Sequence, residues 1–287
     1  MAPFWTCARP LPSVRKVPIL LGNALLPVPM PRTRPIPPGL SLHLVSDLDG
    51  TWIPAPERSA GLRRLEAFLD SQPGIVLTFA TGRGLASALA LLGQRVRRLP
   101  RHLVTDVGTA LHHRTADGRW REDPDYARWV ETRWPAGLER CLALAGYPEG
   151  VRPQPDVTPG RRLALEVAPG ADLIQSAARL RSTLAGLGLP VDVLPSHGRL
   201  LDVLPRGVDK AAAVRHLGLP LPVVACGDSE NDLSLWGIAD LPVLMADSAI
   251  PRSLAQAPWE RLIRPSAPGP EGILEVLQGL LEPEERA

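Results

Sequence analysis

The chain has 287 residues, of which 45% are hydrophobic and 22% are charged. This composition is typical of a soluble globular protein and excludes collagen-like, disulfide-framework and wholly disordered chains. The 32 basic residues nearly balance the 30 acidic ones, giving a formal net charge of +2, so nucleic acid is not an expected partner. Lysine occurs only at Lys16 and Lys210, which leaves 30 of the 32 basic positions to arginine.

The first forty residues differ from the rest of the chain because they contain ten prolines and no acidic residue. We expect residues 1–40 to form a disordered extension. Two alternatives stay open: the apolar run 17–26 is similar to an export signal, although Asn23 interrupts it, and translation could begin at Met30. No run approaches the roughly 18 apolar residues of a membrane span. Three widely spaced cysteines favour a cytoplasmic location, with Cys141 and Cys226 as small buried side chains.

Strand and helix patterns alternate in two stretches, one after residue 41 and one after residue 204. Strands are predicted over 42–46, 75–80, 103–107, 222–226 and 241–245. Helices are predicted over 58–69, 85–92, 210–217 and 231–236. Because such alternation is typical of a parallel sheet with helices on its faces, we predict an α/β, Rossmann-like doubly wound core.

The intervening part of the chain has a different pattern. Helices are predicted over 125–145 and 171–187, and strands over 163–167, 191–194 and 200–204. The last two strands flank a turn, as in an antiparallel hairpin, which indicates an inserted α+β cap domain. The predicted organisation is an extension (1–40), a first core part (41–111), a cap domain (112–204) and a second core part (205–287).

Asp47 and Asp49 come directly after the first predicted strand, in the order Asp-Leu-Asp-Gly-Thr. Ligands bind at the carboxyl ends of strands in open parallel sheets, and two carboxylates this close repel one another. A divalent cation or a retained proton removes that cost, which favours a metal site or a general acid. Gly50 permits a tight turn there. A solvated turn of the same composition is the alternative.

Asp228 and Asp232 follow the predicted strand 222–226 and open a helix. Helix capping accounts for part of this acidic cluster, since Asp, Ser and Asn are favoured at helix starts. Capping leaves unexplained why carboxylates gather at two strand ends of one sheet. A hard cation with oxygen ligands explains both groups, so the sequence favours a shared metal site.

Thr81, Gly82 and Arg83 lie where the second predicted strand gives way to a helix. A hydroxyl, unpaired amides and a guanidinium at such a turn form a place for an anion, and the helix dipole adds to the attraction. Ordinary helix capping is the alternative interpretation.

Lys210 begins a predicted helix, and a solvated surface lysine is the ordinary interpretation. That interpretation is weaker here because arginine fills nearly every other basic position. An ammonium can approach both a phosphate and a carboxylate where a planar guanidinium is too large. Lys210 is therefore a candidate phosphate ligand.

Taken in chain order, these four motifs resemble those of the haloacid dehalogenase (HAD) superfamily, in the subclass with an α+β cap of the C2 type. The resemblance covers the chain from Leu42 onward. It implies an enzyme that hydrolyses phosphomonoesters. Asp47 would attack phosphorus and form an aspartyl-phosphate, while Asp49 would serve as general acid and then as general base.

The resemblance also implies the ligands of the site and their roles. Mg²⁺ would be held by four aspartates, one of them through its backbone carbonyl and one as outer support: Asp47, Asp49 (carbonyl), Asp228 and Asp232 (outer). The transferred phosphoryl group would be held by a hydroxyl, an amide and an ammonium, from Thr81, Gly82 and Lys210.

Segments 106–109, 152–154 and 201–205 are similar to those of sucrose-phosphate phosphatases and their relatives. This implies a sugar phosphate as substrate, bound in part by Arg83 and Gln154. One departure is the pair Arg161 and Arg162, where the caps of those enzymes tend to carry a lysine. His112 and His113 have no third ligand at a metal-binding spacing, so we expect them to face solvent.

Two further hypotheses stay open. One is a HAD activity on a different glycosyl phosphate, either as a phosphatase of compatible-solute synthesis or as a phosphomutase. The other is a catalytically idle binding module that associates with a glycosyltransferase of the same pathway. The complete set of Asp47, Asp49, Lys210 and Asp228 argues against an idle module, because such a module has no need for all four.

Overall fold

The computed structural model describes residues 41–53, 59–155, 157, 160–248, 250 and 262–281. The predicted extension 1–40 and the predicted helix start at Arg58 lie outside the described residues. Within the described part of the chain, no helix has both the length and the apolar character needed to cross a membrane.

The elements alternate along the chain much as the sequence predicts. The strands are β1 Leu42–Ser46, β2 Ile75–Ala80, β3 His102–Thr105, β4 Ala110–Arg114, β5 Trp120–Glu122, β6 Val151–Pro153, β7 Leu163–Val167, β8 Val191–Ser196, β9 Leu200–Pro205, β10 Val223–Gly227 and β11 Leu241–Leu244. The helices are α1 Ser59–Asp70, α2 Leu85–Arg95, α3 Pro124–Glu131, α4 Leu138–Ala145, α5 Leu173–Gly186, α6 Lys210–Leu217, α7 Leu233–Trp236 and α8 Gly269–Gly279. Short 3₁₀ turns cover Asp106–Gly108 and Glu230–Asp232.

The larger sheet has the order β11-β10-β1-β2-β3-β4-β5. Its strands from β11 to β3 pair in parallel, and β4 and β5 are added antiparallel at one edge. Alternate residues of a strand point to opposite faces, so Leu44 and Val45 of β1 enter two different hydrophobic clusters. Helices α1, α2 and α8 cover one face, and α3, α6 and α7 cover the other. This is the α/β, doubly wound architecture that the alternation predicts.

A second sheet, with the order β6-β7-β9-β8, is antiparallel throughout. One of its faces packs on α4 and α5, where Leu142, Leu165, Leu180 and Val203 share a separate hydrophobic cluster. We call this sheet together with α4 and α5 the cap. Its other face, which carries Gln154 and Asp202, lies towards the carboxyl ends of the parallel strands.

The structure adds β6 and α8 to the predicted elements, and it differs from them in further places. The larger sheet continues through β4 and β5, so the predicted boundary at residue 112 falls inside a strand of that sheet. The single helix predicted over 125–145 is two helices, because Pro135 and the left-handed Gly137 (φ 75°) separate α3 from α4. Strand β3 ends at Thr105, since Asp106 and Val107 adopt positive φ angles of 53° and 57°.

The cysteine prediction is half right. Cys226 is the penultimate residue of β10 and is buried, as predicted. Cys141 is exposed, so its prediction as a buried residue is wrong, because it lies on the face of α4 that points away from the cap core.

His43 on β1 generates a prediction about stability and pH. It is 1% exposed, its Nε2 lies 2.8 Å from Thr78 Oγ1, and burial together with the nearby His102 lowers its pKa to about 4. The folded state therefore favours the neutral ring, whereas the unfolded chain takes up a proton near its ordinary pKa. We expect the contribution of His43 to the free energy of unfolding, up to about 3 kcal/mol, to be lost as the pH drops from 7 towards 4.

The measurement is denaturant unfolding at a series of pH values for the wild type and His43→Gln. The variant should lose a large part of this pH dependence. His197→Gln, at an exposed position, serves as the control and should retain it. An unchanged slope in His43→Gln would contradict the assignment.

Candidate active site

Three of the predicted motifs meet at one edge of the larger sheet. Asp47 follows β1, Thr81 follows β2 and Asp228 follows β10, and β1 lies between the other two strands. These strands are parallel and in register, with Ser46 opposite both Phe79 and Cys226, so their carboxyl ends lie side by side. The convergence places the site at the carboxyl edge of the sheet, as the strand patterns predict.

Lys210 lies at the centre of this convergence. Its side chain is fully buried, and Nζ donates to Asp47 Oδ1 at 2.8 Å, Asn231 Oδ1 at 2.7 Å and Asp232 Oδ1 at 2.8 Å. An ammonium has three donors, and each of them has an oxygen acceptor here. The interpretation of Lys210 as a solvated surface lysine is therefore wrong.

The electrostatics of this group follow from burial and from mutual interaction. Burial opposes the charge on Lys210, but the carboxylates of Asp232 and Asp47 outweigh it, so the pKa of Lys210 is raised and it carries a full charge. Burial raises the pKa of Asp47 to about 8; Lys210 acts in the opposite direction, and Asp232 and Asp228 add to the rise. With all three carboxyl groups ionised, Asp47, Asp228 and Asp232 would carry more negative charge than one ammonium balances.

The acidic cluster has the composition and size of a site for a hard cation. Carboxylate oxygens of Asp47, Asp228 and Asp232 all lie within 4.8 Å of one another. Burial and the neighbouring Asp232 raise the pKa of Asp228 to about 7. The shift shows that ionising these neighbouring carboxyl groups together is unfavourable, a cost that a bound cation would remove. Oxygen ligands and an excess of negative charge suit Mg²⁺, so the residues present fit that ion.

The loop after β1 is held against Asp228. Thr51 Oγ1 donates to Asp228 Oδ1 at 3.1 Å. Gly50 has a φ of 74°, and a Cβ on it would lie 2.4 Å from Asp228 Oδ2. Only glycine fits this close approach, which agrees with the tight turn predicted at Gly50.

Asp232 is placed to orient Lys210 and the backbone of Asp228. Its Oδ1 accepts from Lys210, and its Oδ2 accepts from the backbone amides of Asp228 at 3.1 Å and Ser229 at 3.2 Å. Both oxygens are thus engaged within the protein. Asp232 thus holds Lys210 and the turn after β10 together, and its role as outer support of a metal site stays a prediction.

Asp49 makes a two-pronged ion pair with Arg83. Arg83 Nε donates to Asp49 Oδ2 and Nη2 donates to Oδ1, both at 2.7 Å. Arg83 Nη1 also donates to Ser87 Oγ at 2.9 Å. Two parallel charge-assisted hydrogen bonds fix the orientation of both side chains, which are each about one third exposed (37% for Arg83 and 38% for Asp49).

Thr81 and Gly82 form the turn after β2. The Thr81 hydroxyl accepts from the Arg83 amide at 3.1 Å, so its own hydrogen is available to a ligand. Gly82 lines the adjoining cavity. The turn thus has the chemistry predicted for an anion site.

A cavity of about 940 Å³ lies between this edge of the sheet and the cap. The predicted residues Asp47, Asp49, Gly82, Arg83 and Gln154 line it, while Thr81 and Lys210 are buried behind its wall. The Nε2 of Gln154 donates to the Leu165 carbonyl at 3.0 Å, which fixes its orientation. The volume is near the upper end of ordinary ligand sites, roughly 300–1,000 Å³.

Sequence reasoning misses several polar residues of this cavity. The sequence indicates Asn231 only as a capping residue, yet it accepts from Lys210. His112 is 5% exposed, lines the cavity and pairs with Thr105 Oγ1 at 3.2 Å, so its prediction as solvent-facing is wrong. Arg162 and Asp202 from the cap also line it. Three of these residues have a signal in the sequence: Asn231 lies between Asp228 and Asp232, Asp202 lies in the segment 201–205, and Arg162 belongs to the pair at which the chain departs from related caps.

Comparison with known proteins identifies the family to which the chain belongs. The sucrose-6F-phosphate phosphohydrolase family matches residues 40–279. The chain belongs to this family. The HAD-type hydrolase fold and the similarity to sucrose-phosphate phosphatases, both predicted from the motifs, are confirmed.

Individual relatives give the degree of similarity. The solved sucrose-phosphatase from Synechocystis sp. PCC6803, in complex with sucrose and phosphate, has 28% identity and a TM-score of 0.73, covering 84% of this chain and 98% of that one. A probable sucrose-phosphatase 3a of Arabidopsis thaliana is 28% identical over 225 residues, 72% of this chain and 51% of the relative. A glucosylglycerol-phosphate synthase of Pseudomonas anguilliseptica is 30% identical over 199 residues, 67% of this chain and 24% of the synthase. The chain spans only about half and about a quarter of these two relatives.

The buried position of Lys210 makes a conservative substitution informative. Lys210→Arg inserts a larger, planar group into a fully packed site, which should destabilise the fold by about 1–3 kcal/mol. For the phosphatase activity proposed below, turnover should fall by at least about 100-fold, because the charge next to Asp47 is displaced. Steady-state release of inorganic phosphate and thermal unfolding measure the two effects.

Arg215→Lys, on the exposed side of the same helix α6, is the matched control and should behave as the wild type. A turnover within a few-fold of normal for Lys210→Arg would mean that the position tolerates any cation and would contradict the geometric argument.

Proposed function

We propose that the chain is a Mg²⁺-dependent phosphatase that hydrolyses a sugar phosphate through an aspartyl-phosphate intermediate. The observation that carries the proposal is Asp47, held by the buried Lys210 beside an acidic cluster that fits a cation, on the wall of a sugar-sized cavity.

Asp47 is placed to act as the nucleophile. It lines the cavity, and Lys210 fixes the carboxylate through Oδ1 at 2.8 Å. The orienting contact saves the entropy of aligning the carboxylate with phosphorus. Attack would form an acyl phosphate on Asp47 and release the sugar alcohol, which divides a difficult hydrolysis into two easier steps.

The metal would be held by Asp47, the Asp49 backbone carbonyl and Asp228, with Asp232 orienting them. When bound, Mg²⁺ would offset the charge of these carboxylates and of the phosphate, so that an anion can be attacked by an anion. The remaining positive charge comes from the chain itself. The Thr81 hydroxyl and the Gly82 amide would donate to the phosphoryl oxygens as charge develops on them, and Lys210 would act through its charge, since its three donors are engaged by Asp47, Asn231 and Asp232.

Asp49 is placed to transfer the proton. Protonating the leaving oxygen and then deprotonating water needs a carboxyl group at the cavity wall, where Asp49 lies. Arg83 holds both of its oxygens, so Asp49 acts only after this ion pair opens. A substrate whose sugar contacts Arg83 would open it, which makes Arg83 a substrate-binding residue.

A sugar phosphate fits the cavity by size and by chemistry. The cavity is large enough for a disaccharide, and polar groups such as Gln154, His112 and Asp202 line it. The Synechocystis relative was solved with sucrose and phosphate, which supports sucrose 6-phosphate as the leading substrate. The similarity to a glucosylglycerol-phosphate synthase supports a second candidate, the phosphate ester of glucosylglycerol. A cytoplasmic location and an association with a glycosyltransferase remain predictions from the sequence.

The test is release of inorganic phosphate from a panel containing sucrose 6-phosphate, glucosylglycerol phosphate, glucose 6-phosphate and glycerol phosphate. We expect kcat/KM for one of the two glycosyl phosphates to exceed that of the simple phosphates by at least about 100-fold, since binding of the sugar is used in the transition state. Chelation by EDTA and the variant Asp47→Asn should each abolish release.

Asp70→Asn, at the exposed end of α1, serves as the control and should hydrolyse the panel at the wild-type rate. Activity that persists in Asp47→Asn would refute the mechanism. Activity confined to non-sugar phosphates would refute the substrate class, and transfer of phosphate to a second hydroxyl would indicate a mutase.

A further inference from the structure

Arg162 is a buried cation that joins the cap to the larger sheet. It lies immediately before β7, and its side chain is 8% exposed. Nη1 donates to Asp202 Oδ1 of the cap at 2.8 Å. Nε lies 3.3 Å from Oδ1 of Asp106, which follows β3; this contact is an ion pair without hydrogen-bond geometry. One guanidinium thus links a cap carboxylate with a carboxylate beside the active site.

Asp106 belongs to a strained turn. Asp106 and Val107 have φ angles of 53° and 57°, in the left-handed region that is uncommon for residues other than glycine and is a true outlier for a β-branched residue such as valine. Such conformations persist only where the surroundings hold them, and they often occur at functional sites. We call residues 106–108 the left-handed turn.

The left-handed turn holds the phosphate-binding loop. The amide of Asp106 donates to the Arg83 carbonyl at 2.9 Å, and the amide of Val107 donates to the Thr81 carbonyl at 3.1 Å. These two hydrogen bonds lie on either side of Gly82. Movement of the turn would therefore move the Thr81 hydroxyl and the Gly82 amide.

The same turn contacts the start of α6. Gly108 has a φ of 103°, and a Cβ on it would lie 2.1 Å from the Asp209 carbonyl carbon and 2.5 Å from the Lys210 nitrogen. The Tyr126 hydroxyl donates to the Gly108 carbonyl at 2.7 Å and holds it in place. The turn is thus packed against both groups of phosphate ligands, the loop after β2 and Lys210.

We propose that Arg162 is a positioning residue that couples the cap to the phosphate site through Asp106 and the left-handed turn. With the cap in place, the guanidinium fixes the Asp106 side chain, and the turn holds Thr81, Gly82 and Arg83 in the geometry that binds a phosphoryl group. With the cap displaced, the turn loses this support. The effect of this coupling on catalysis rests on the proposed function. The coupling itself can be measured in the protein without substrate.

Two simpler roles for Arg162 make different predictions. A purely structural ion pair with Asp202 would affect the cap and leave the left-handed turn unchanged. A direct contact with the sugar would affect binding of sugar phosphates and leave the protein without ligand unchanged. Coupling alone alters the hydrogen bonds of the turn in the absence of any substrate.

The test is hydrogen exchange of the amides of residues 106 and 107, measured by NMR on the full chain without substrate. In Arg162→Gln and in Asp106→Asn, the protection factors of these two amides should fall by at least about tenfold, because the turn opens more often. Asp106→Asn keeps the size of the side chain, and asparagine tolerates a left-handed conformation, so this variant should fold. The double variant should lose no more protection than either single one.

Arg199→Gln is the matched control. Arg199 is a cap arginine whose ion pair, Nη2 to Glu166 Oε2 at 2.6 Å, stays within the cap. This variant should leave the protection of the turn unchanged. Cap amides such as that of Leu165 should keep wild-type protection in Asp106→Asn.

Turn amides that exchange as in the wild type in both Arg162→Gln and Asp106→Asn would overturn the inference, as would an additive loss in the double variant. Hydrogen exchange of these amides is measured without substrate, so it does not depend on enzymatic activity. A wild-type protein without phosphatase activity would refute the proposed function alone, and unchanged exchange would refute the coupling alone.

Discussion

One buried ammonium organises this molecule. Lys210 satisfies Asp47, Asp232 and Asn231 at once, and removing a partner from such a buried cluster typically costs about 3–5 kcal/mol. Its acceptors come from two strand ends, so the contact is possible only if β1 and β10 run parallel and side by side. Close packing reinforces this demand, since a Cβ on Gly227 would lie 2.4 Å from Asp232 Cγ. The contacts of Lys210 therefore depend on the same parallel pairing of β1 and β10 that defines the sheet.

The amino-acid composition alone singles out this residue. In a chain where 30 of 32 basic residues are arginine, a lysine at a helix start needs a reason, and the reason is space. Three oxygens approach within 2.8 Å of a single nitrogen, which a flat guanidinium cannot reproduce. The proximity of Asp47 and Asp228 can also be predicted from the sequence, because each follows a strand and the carboxyl ends of parallel strands lie at the same edge of a sheet. Local pattern and topology are sufficient to predict the core of the site.

Other features lie beyond sequence reasoning because they arise from packing between distant segments. The positive φ of Val107 contradicts the preference of a β-branched residue and exists only under the contacts around it. The sequence marks Arg162 only as a departure from related caps, and its burial between Asp106 and Asp202 does not follow from a local pattern. Strands β4 and β5 are short, and the pairing of β4 with β3 and of β5 with β4 is not encoded in a local pattern. These features share one location, the junction between the cap and the larger sheet, where specificity is expected to reside.

Asp47 is the proposed nucleophile that attacks phosphorus, and its covalent intermediate can be observed directly. Enzyme mixed with excess substrate and Mg²⁺ is quenched in acid during turnover, treated with borohydride, and digested for mass spectrometry. Borohydride reduces an aspartyl-phosphate to homoserine, whereas a free carboxylate does not react. We predict homoserine at position 47 and an unaltered Asp49 in the same peptide. Reduction at neither residue during steady turnover, or reduction at Asp49 instead, would contradict the central claim.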